Sequence, residues 1–221
     1  MHQVITKNYP ENMNGGVMLC GINFGYSLGD EEAEREGILA RSGPQSFFSD
    51  TSVNETRFRD RILKWMNSFG LGLATQSGSD GIRERLFFQT NWLDTQTRSV
   101  SSNEKIGVSS LVRDSGGVLG LLEQRKPKAI IFFGADLIEA FNDISLRGRL
   151  ESLFGARSGN AEVHKWDAYH GRKFRVLTQS YGDTQLISLP HPQTRGLSDE
   201  YVAHFKPQIM AALGRAYPSL F

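Results

Sequence analysis

The residues best suited to chemistry in this chain are an asparagine near its amino end and a histidine near its carboxyl end. Asn23 follows the apolar run 17–21, and His191 stands between two prolines after the apolar run 184–189. An amide donates and accepts hydrogen bonds and a neutral imidazole donates one, so both side chains suit a polar ligand. Each also has a purely structural explanation, because Asn favours turns and a histidine between prolines can cap the end of a strand.

Four short apolar runs predict the buried strands that position these residues. They cover residues 17–21, 86–88, 129–134 and 184–189, and the second continues to Asn91. Apolar residues at helical spacing follow in 54–70 and again after the last strand, in 198–213. This βαβ order predicts an α/β fold with a parallel sheet, whose ligand site lies beyond the carboxyl ends of the strands. We therefore expect Asn23 to face a crevice.

The composition indicates one globular domain. Of the 221 residues, 39% are hydrophobic and 22% charged, and no apolar run approaches the ~18 residues of a membrane span. We expect a single domain over residues 1–221, with residues 1–16 as a polar arm, and no membrane partner. Cys20 is the one cysteine, so neither a disulfide framework nor a four-thiolate metal site is expected. Because no signal-peptide pattern is present, we expect a cytoplasmic protein.

The segment 147–175 is strongly basic. It carries seven Lys or Arg residues against three acids, and aromatic side chains lie among them. Its centre, 168–174, has the pattern of a hairpin turn that presents Arg172 and Lys173. A basic patch with interleaved aromatic residues is typical of a surface that binds a nucleic-acid backbone. An ordinary solvated hairpin explains the pattern equally well.

Two motifs together resemble the signatures of an enzyme superfamily. The first is Gly-Ile-Asn-Phe-Gly at 21–25, and the second is Leu-Pro-His-Pro-Gln-Thr-Arg at 189–195. In this order they resemble the motifs of the uracil-DNA glycosylase superfamily, in its mismatch-specific and thymine-DNA glycosylase branch. The strand that ends in Asn91 is similar to the superfamily's pyrimidine-reading strand. The resemblance covers residues 17–213.

This resemblance implies both a fold and an activity. The fold is a three-layer α/β sandwich with a central four-stranded parallel sheet. The activity is that of a monofunctional DNA glycosylase, which hydrolyses the bond between a flipped-out base and its deoxyribose and leaves an abasic site. The superfamily uses no cofactor and no metal for this reaction. DNA is the implied partner, and we expect a monomer.

The same resemblance implies roles for individual residues. Asn23 would position the attacking water, and His191 would donate a hydrogen bond to the pyrimidine carbonyl oxygen as negative charge develops there. Asn91 would read the pyrimidine edge, and the ring of Phe47 or Phe48 would stack on the extruded base. The other residues expected to contact the base are Gly21, Ile22, Phe24, Gly25 and Tyr26. Those expected to contact DNA are Pro192, Gln193, Thr194 and Arg195, joined by Arg172 and Lys173 from the basic segment.

Departures from the superfamily's pattern point to an enlarged substrate. Phe24 replaces the proline of the first motif, and Gln193-Thr194 replaces the Ser-Pro of the second. Gly25 stands where the strict uracil enzymes carry a tyrosine that closes the space beside the 5-position of the base. The expected substrate is therefore a bulky 5-substituted cytosine, such as the glucosylated hydroxymethylcytosine of phage DNA. Antiviral defence is the corresponding biological role.

Three other functions remain open on the sequence. The first is ordinary repair of uracil or mismatches, and the second is non-catalytic binding of modified DNA. The third is hydrolysis of a free nucleoside or nucleotide in the same kind of crevice. Serine-hydrolase, P-loop and zinc-protease functions have no support, because no GxSxG, Walker A or HExxH motif occurs.

Overall fold

The computed structural model describes residues 2, 4–22, 24 and 25, 57–73, 81–94, 96 and 97, and 106–220. The strands within these ranges are β1 (Val17–Gly21), β2 (Phe24–Gly25), β3 (Phe87–Asn91), β4 (Gln96–Thr97), β5 (Ala129–Phe133), β6 (Glu162–His164), β7 (Val176–Tyr181) and β8 (Thr184–Leu189). The helices are α1 (Pro10–Met13), α2 (Arg57–Ser68), α3 (Ile82–Arg85), α4 (Val108–Arg113), α5 (Gly116–Arg125), α6 (Ala135–Phe141), α7 (Ile144–Phe154), α8 (Asp199–His204) and α9 (Lys206–Ala216).

The main sheet has six strands in the order β3-β1-β5-β8-β7-β6. Strands β3, β1, β5 and β8 pair in parallel, whereas β7 is antiparallel to β8 and β6 is antiparallel to β7. The expectation of a four-stranded, all-parallel sheet is therefore wrong for the sheet as a whole. Gly182, with a φ of 47°, allows β7 to turn directly into β8, so this pair needs no crossover helix and runs antiparallel.

The four predicted strands are present and fully buried, and helices cover both faces of the sheet. Along β1, Val17 and Leu19 belong to a core with α2, α8 and α9, while Met18 and Cys20 belong to a second core with α4 to α7. A strand buried on both faces has no polar alternation, which explains its continuous apolar run. The prediction of an α/β sandwich is confirmed.

The predicted carboxyl-terminal helix is two helices. Ser198 caps α8 by accepting a hydrogen bond from the Tyr201 N–H at 3.0 Å, and the chain bends at Phe205 before α9 begins. Pro207 explains the bend, because its ring removes an N–H and crowds the carbonyl one turn earlier. The apolar face predicted for this region is buried all the same.

The polar arm is attached to the sheet edge. Val4 forms an antiparallel bridge with Thr90, and the Ile5 N–H donates to the Gln89 carbonyl at 2.9 Å. The expectation that residues 1–16 form no element is therefore incomplete, since part of the arm pairs with β3. This pairing covers backbone groups at the edge of a sheet that would otherwise be open.

Phe141 tests the packing of the second core. Its ring lies 5.6 Å from that of Phe132 and 5.4 Å from that of Tyr181, centroid to centroid, and its side chain is fully buried. We expect Phe141→Ala to lower the free energy of unfolding by about 3–5 kcal/mol in urea denaturation. Ile144→Ala, at a side chain that is 72% exposed, is the control and should change it by less than about 0.5 kcal/mol. Equal effects of the two would contradict this account of the core.

Candidate active site

The carboxyl ends of the four parallel strands lie side by side at one end of the sheet, which forms its carboxyl edge. Gly21 pairs in register with Asn91, and Phe133 pairs with Leu189. His191 follows β8 by two residues. Strands β1 and β8 are separated by β5 alone, which puts their ends ~10 Å apart at ordinary strand spacing.

The structure brings several predicted site residues to this edge. Gly21, Ile22 and Asn91 lie at the ends of β1 and β3, and His191 begins the loop after β8. Phe24 and Gly25 form β2, whose backbone pairs in parallel with Gln96 and Thr97 of β4. Asn23, Tyr26, Phe47 and Phe48 lie outside the described residues, so their roles remain predictions.

Asn91 is packed directly against Gly21. A Cβ atom added to Gly21 would lie 2.3 Å from Asn91 Oδ1, so only glycine leaves room for this amide. Two hydrogen bonds continue the ladder beyond the strands, from the Trp92 N–H to the Gly21 carbonyl at 2.8 Å and from the Leu93 N–H to the Ile22 carbonyl at 2.9 Å. The Asn91 side chain is therefore held in place by the ends of two strands.

His2 of the arm forms a hydrogen bond with the backbone carbonyl of Asn91. Its Nε2 lies 2.7 Å from the Asn91 carbonyl oxygen, which can only accept, so Nε2 carries the proton. Its Nδ1 lies 2.9 Å from Asp94 Oδ2, and its side chain is 3% exposed. No local sequence pattern indicates this contact, because it joins residues 89 positions apart.

The His191 ring is half-buried against an aromatic pair. Its centroid lies 5.3 Å from that of Phe58 on α2, and Phe58 makes an edge contact with Phe133 at the end of β5, also at 5.3 Å. These rings shield one side of the imidazole from water. Burial lowers the pKa of His191 below its usual value, so the ring is neutral at pH 7.

A backbone hydrogen bond selects the tautomer of His191. The Gln193 N–H lies 3.3 Å from His191 Nδ1 and can only donate, so Nδ1 carries the lone pair. The proton of the neutral ring is then on Nε2. The Thr194 N–H donates to the His191 carbonyl at 2.9 Å and closes the turn. The site thus contains a neutral imidazole with one N–H donor in a fixed direction.

Helix α2 holds the loop that carries His191. Arg61 donates from Nη1 to the Pro192 carbonyl at 2.6 Å, from Nη2 to the Leu197 carbonyl, and from Nε to Asp199 Oδ1 at 2.8 Å. A surface cleft of about 480 Å³ lies here between α2 and the loop. Sequence reasoning missed Arg61, since charged residues between the apolar positions of a helix are usually solvated.

The basic segment meets the same loop from the other side. Arg172 donates from Nη1 to the Arg195 carbonyl at 3.2 Å, and the Tyr169 and Ser198 hydroxyls lie 2.6 Å apart. Lys173 donates to the Asp167 carbonyl at 2.6 Å, within the segment. Arg172, Lys173 and Arg195 are exposed, and Arg172 contacts the loop at the Arg195 backbone.

Other basic residues of 147–175 do not join this patch. Arg149 pairs with Glu123 at 2.6 Å, and Arg175 forms an ion pair with Glu139. These two cations are neutralised on the α5 to α7 side of the sheet. The predicted hairpin is also wider than expected, because residues 165–175 separate β6 from β7.

Comparisons with known proteins leave the family open. No family model matches the chain, and no curated protein matches it. One similar solved structure is a domain of unknown function (DUF1537) from Bordetella bronchiseptica with bound citrate, which is 10% identical, with a TM-score of 0.32. The match covers 93% of this chain but 42% of that one, so the chain spans less than half of that neighbour. A TM-score this low supports neither a shared fold nor a shared function.

Among the described residues, no group of three His, Cys, Asp or Glu side chains is arranged to hold a metal ion. None of the described helices is both long enough and apolar enough to cross a membrane.

Gly21→Ala tests the contact between the strand end and Asn91. The new methyl group overlaps Asn91 Oδ1, so we expect a loss of about 1–3 kcal/mol in the free energy of unfolding and displacement of the amide. Gly120→Ala is the control, since Gly120 lies on the exposed side of α5 and an added Cβ meets nothing within 4 Å, and it should stabilise by about 0.5–1 kcal/mol. Urea denaturation measures both, and the side-chain NMR signals of Asn91 report its position. An Asn91 amide that stays unperturbed in Gly21→Ala would contradict the proposed packing.

Proposed function

We propose that this protein is a monofunctional DNA glycosylase that removes an enlarged pyrimidine from DNA and leaves an abasic site. The observation that carries the proposal is the neutral His191 ring at the carboxyl edge of the parallel strands. Its Nδ1 accepts from the Gln193 N–H, which leaves Nε2–H as a fixed donor. The two motifs that resemble those of the uracil-DNA glycosylase superfamily lie at this same edge.

A neutral donor matches the charge that forms in this reaction. When the glycosidic bond breaks, the sugar gains oxocarbenium character and the base gains negative charge on its carbonyl oxygen. Preorganised donors aimed at such an oxygen lower the barrier, and loss of one typically costs about 3 kcal/mol. The His191 Nε2–H serves as this donor. Asn23, by resemblance, orients the water that attacks the sugar.

Asn91 serves recognition of the base. Its amide provides one acceptor and two donor hydrogens, which suit the edge of a pyrimidine. Packing against Gly21 restricts the side-chain amide, and the hydrogen bond from His2 to the backbone carbonyl of Asn91 holds the end of β3, so the group is preorganised before the base arrives. A base must leave the duplex to reach this edge, which is why DNA glycosylases flip their substrates.

The exposed loop and basic patch provide the DNA contacts in this proposal. Gln193 and Arg195 project from the loop next to His191, where they can enter the space left by the flipped base. Arg172, which contacts the Arg195 carbonyl, and its neighbour Lys173 are exposed and suit the phosphate backbone. We expect the enzyme to act as a monomer without a cofactor.

Replacement of His191 tests the catalytic role. We expect His191→Ala to lower the single-turnover rate of base release about 100-fold, because the developing anion loses its donor. DNA binding should change less than about threefold. His164→Ala is the control, because His164 contacts Thr178 on the antiparallel part of the sheet. The assay uses DNAs that carry uracil, a thymine mismatch, hydroxymethylcytosine or its glucosylated form, followed by alkaline cleavage. An unchanged rate in His191→Ala would exclude the assignment.

Replacement of Gly25 tests the substrate. A glycine removes a steric block beside the 5-position, so wild-type enzyme should release the glucosylated base faster than uracil. We expect Gly25→Tyr to abolish release of the glucosylated base while keeping or raising uracil release. A site that hydrogen-bonds a substrate's hydroxyl groups discriminates strongly against analogues that lack them. Faster release of uracil than of every 5-substituted cytosine by the wild type would instead identify an ordinary repair enzyme.

A further inference from the structure

The Pro192–Gln193 peptide group connects Arg61 to His191. Its carbonyl oxygen accepts from Arg61 Nη1 at 2.6 Å, and its N–H donates to His191 Nδ1 at 3.3 Å. A trans peptide is planar, with the C=O and N–H pointing in opposite directions, so fixing one end fixes the other. We propose that Arg61 is the positioning residue of the site, which sets the His191 tautomer through this single peptide group.

The other hydrogen bonds of Arg61 fix the position of its guanidinium group relative to the loop. Nη2 donates to the Leu197 carbonyl and Nε donates to Asp199 Oδ1, so one guanidinium fixes two carbonyls of the loop 190–198 and the first residue of α8. Arginine presents its donors in a planar fork, and a lysine cannot reproduce three directed contacts. The guanidinium also lies over the Trp65 ring, 5.5 Å from its centroid.

Asp199 fixes the Arg61 guanidinium in place. Its Oδ1 also accepts from Trp65 Nε1 at 2.8 Å, and its Oδ2 lies 2.6 Å from Lys64 Nζ. Burial alone would raise the pKa of Asp199, but the hydrogen bonds from Lys64, Arg61 and Trp65 outweigh it and hold the pKa at about 2. The carboxylate is therefore ionised at neutral pH.

The relay of hydrogen bonds from Arg61 through the Pro192–Gln193 peptide group affects both the tautomer and the pKa of His191. A polarised carbonyl strengthens the N–H of the same peptide as a donor, because hydrogen bonds in a chain reinforce each other. A firm Gln193 N–H keeps the lone pair on Nδ1 and the proton on Nε2. Without Arg61, this peptide is free to rotate, and the neutral ring divides between its two tautomers. Water also reaches the ring more easily, which moves the pKa of His191 back toward its usual value.

NMR of the histidine ring nitrogens in the free protein tests the proposal. In wild type we expect the shifts of a single Nε2–H tautomer for neutral His191. Arg61→Gln should give shifts averaged between tautomers and a higher His191 pKa. Arg61→Lys keeps the charge beside Asp199 and should show the same change, so it decides the question if Arg61→Gln does not fold. Arg113→Gln, at an exposed ion pair with Asp114, is the control and should match wild type.

Kinetics form the second readout, and this part rests on the proposed function. Arg61→Gln should lower kcat for base release about 10-fold or more while the KM for DNA stays within about twofold. Unchanged ring-nitrogen shifts in both Arg61 variants would overturn the relay, whatever the activity. Absence of base release by wild type on every DNA would overturn the proposed function and leave the NMR result standing, so the two failures are distinguishable.

Discussion

The structure depends on the parallel pairing of β1 with both of its neighbours. All five residues of β1 are buried, and the strand pairs with β3 on one side and β5 on the other. In-register pairing brings the last residues of these strands to a common edge, where the backbone leaves the sheet and side chains become available to a ligand. A shift of one residue would exchange the two faces of β1 and separate Gly21 from Asn91. The position of the site therefore follows from the register of the sheet.

Segments distant in sequence hold the carboxyl ends of the outer parallel strands, β3 and β8, in place. At the β3 end, the arm pairs with the outer strand and His2 holds the Asn91 carbonyl. At the β8 end, α2 provides Phe58 against the His191 ring and Arg61 against its loop. Loops that carry function are usually the most variable part of a fold. Here Arg61 on α2 donates hydrogen bonds to the loop after β8, so the geometry of that loop also depends on the position of α2.

Two ionisable groups at the two ends of this loop, His191 and Asp199, are kept in different charge states. Burial against aromatic rings lowers the pKa of His191 and keeps it neutral, while donors around Asp199 keep that carboxylate charged. Arg61 lies between them, bonded to Asp199 and to the peptide that faces His191. The positive charge that holds the loop is that of Arg61, which bonds to Asp199 and to the Pro192 carbonyl, while the His191 ring stays neutral. A neutral donor and a rigid loop are compatible because Arg61 reaches His191 only through the Pro192–Gln193 peptide group.

The sequence by itself determined the four central strands, the α/β class and the edge at which polar residues gather. These follow from local patterns, since a buried strand is a short apolar run and the ligand-binding end of a parallel sheet lies just after such runs. The tertiary structure alone decided that β7 joins the main sheet antiparallel to β8, that the arm pairs with β3, and that His2 and Arg61 make their contacts. Those contacts join residues more than 80 positions apart, and a charged side chain in a helix looks the same in sequence whether it is solvated or holds a distant loop. Only the folded chain brings Arg61 to the Pro192 carbonyl, because that distance depends on how α2 packs on the sheet.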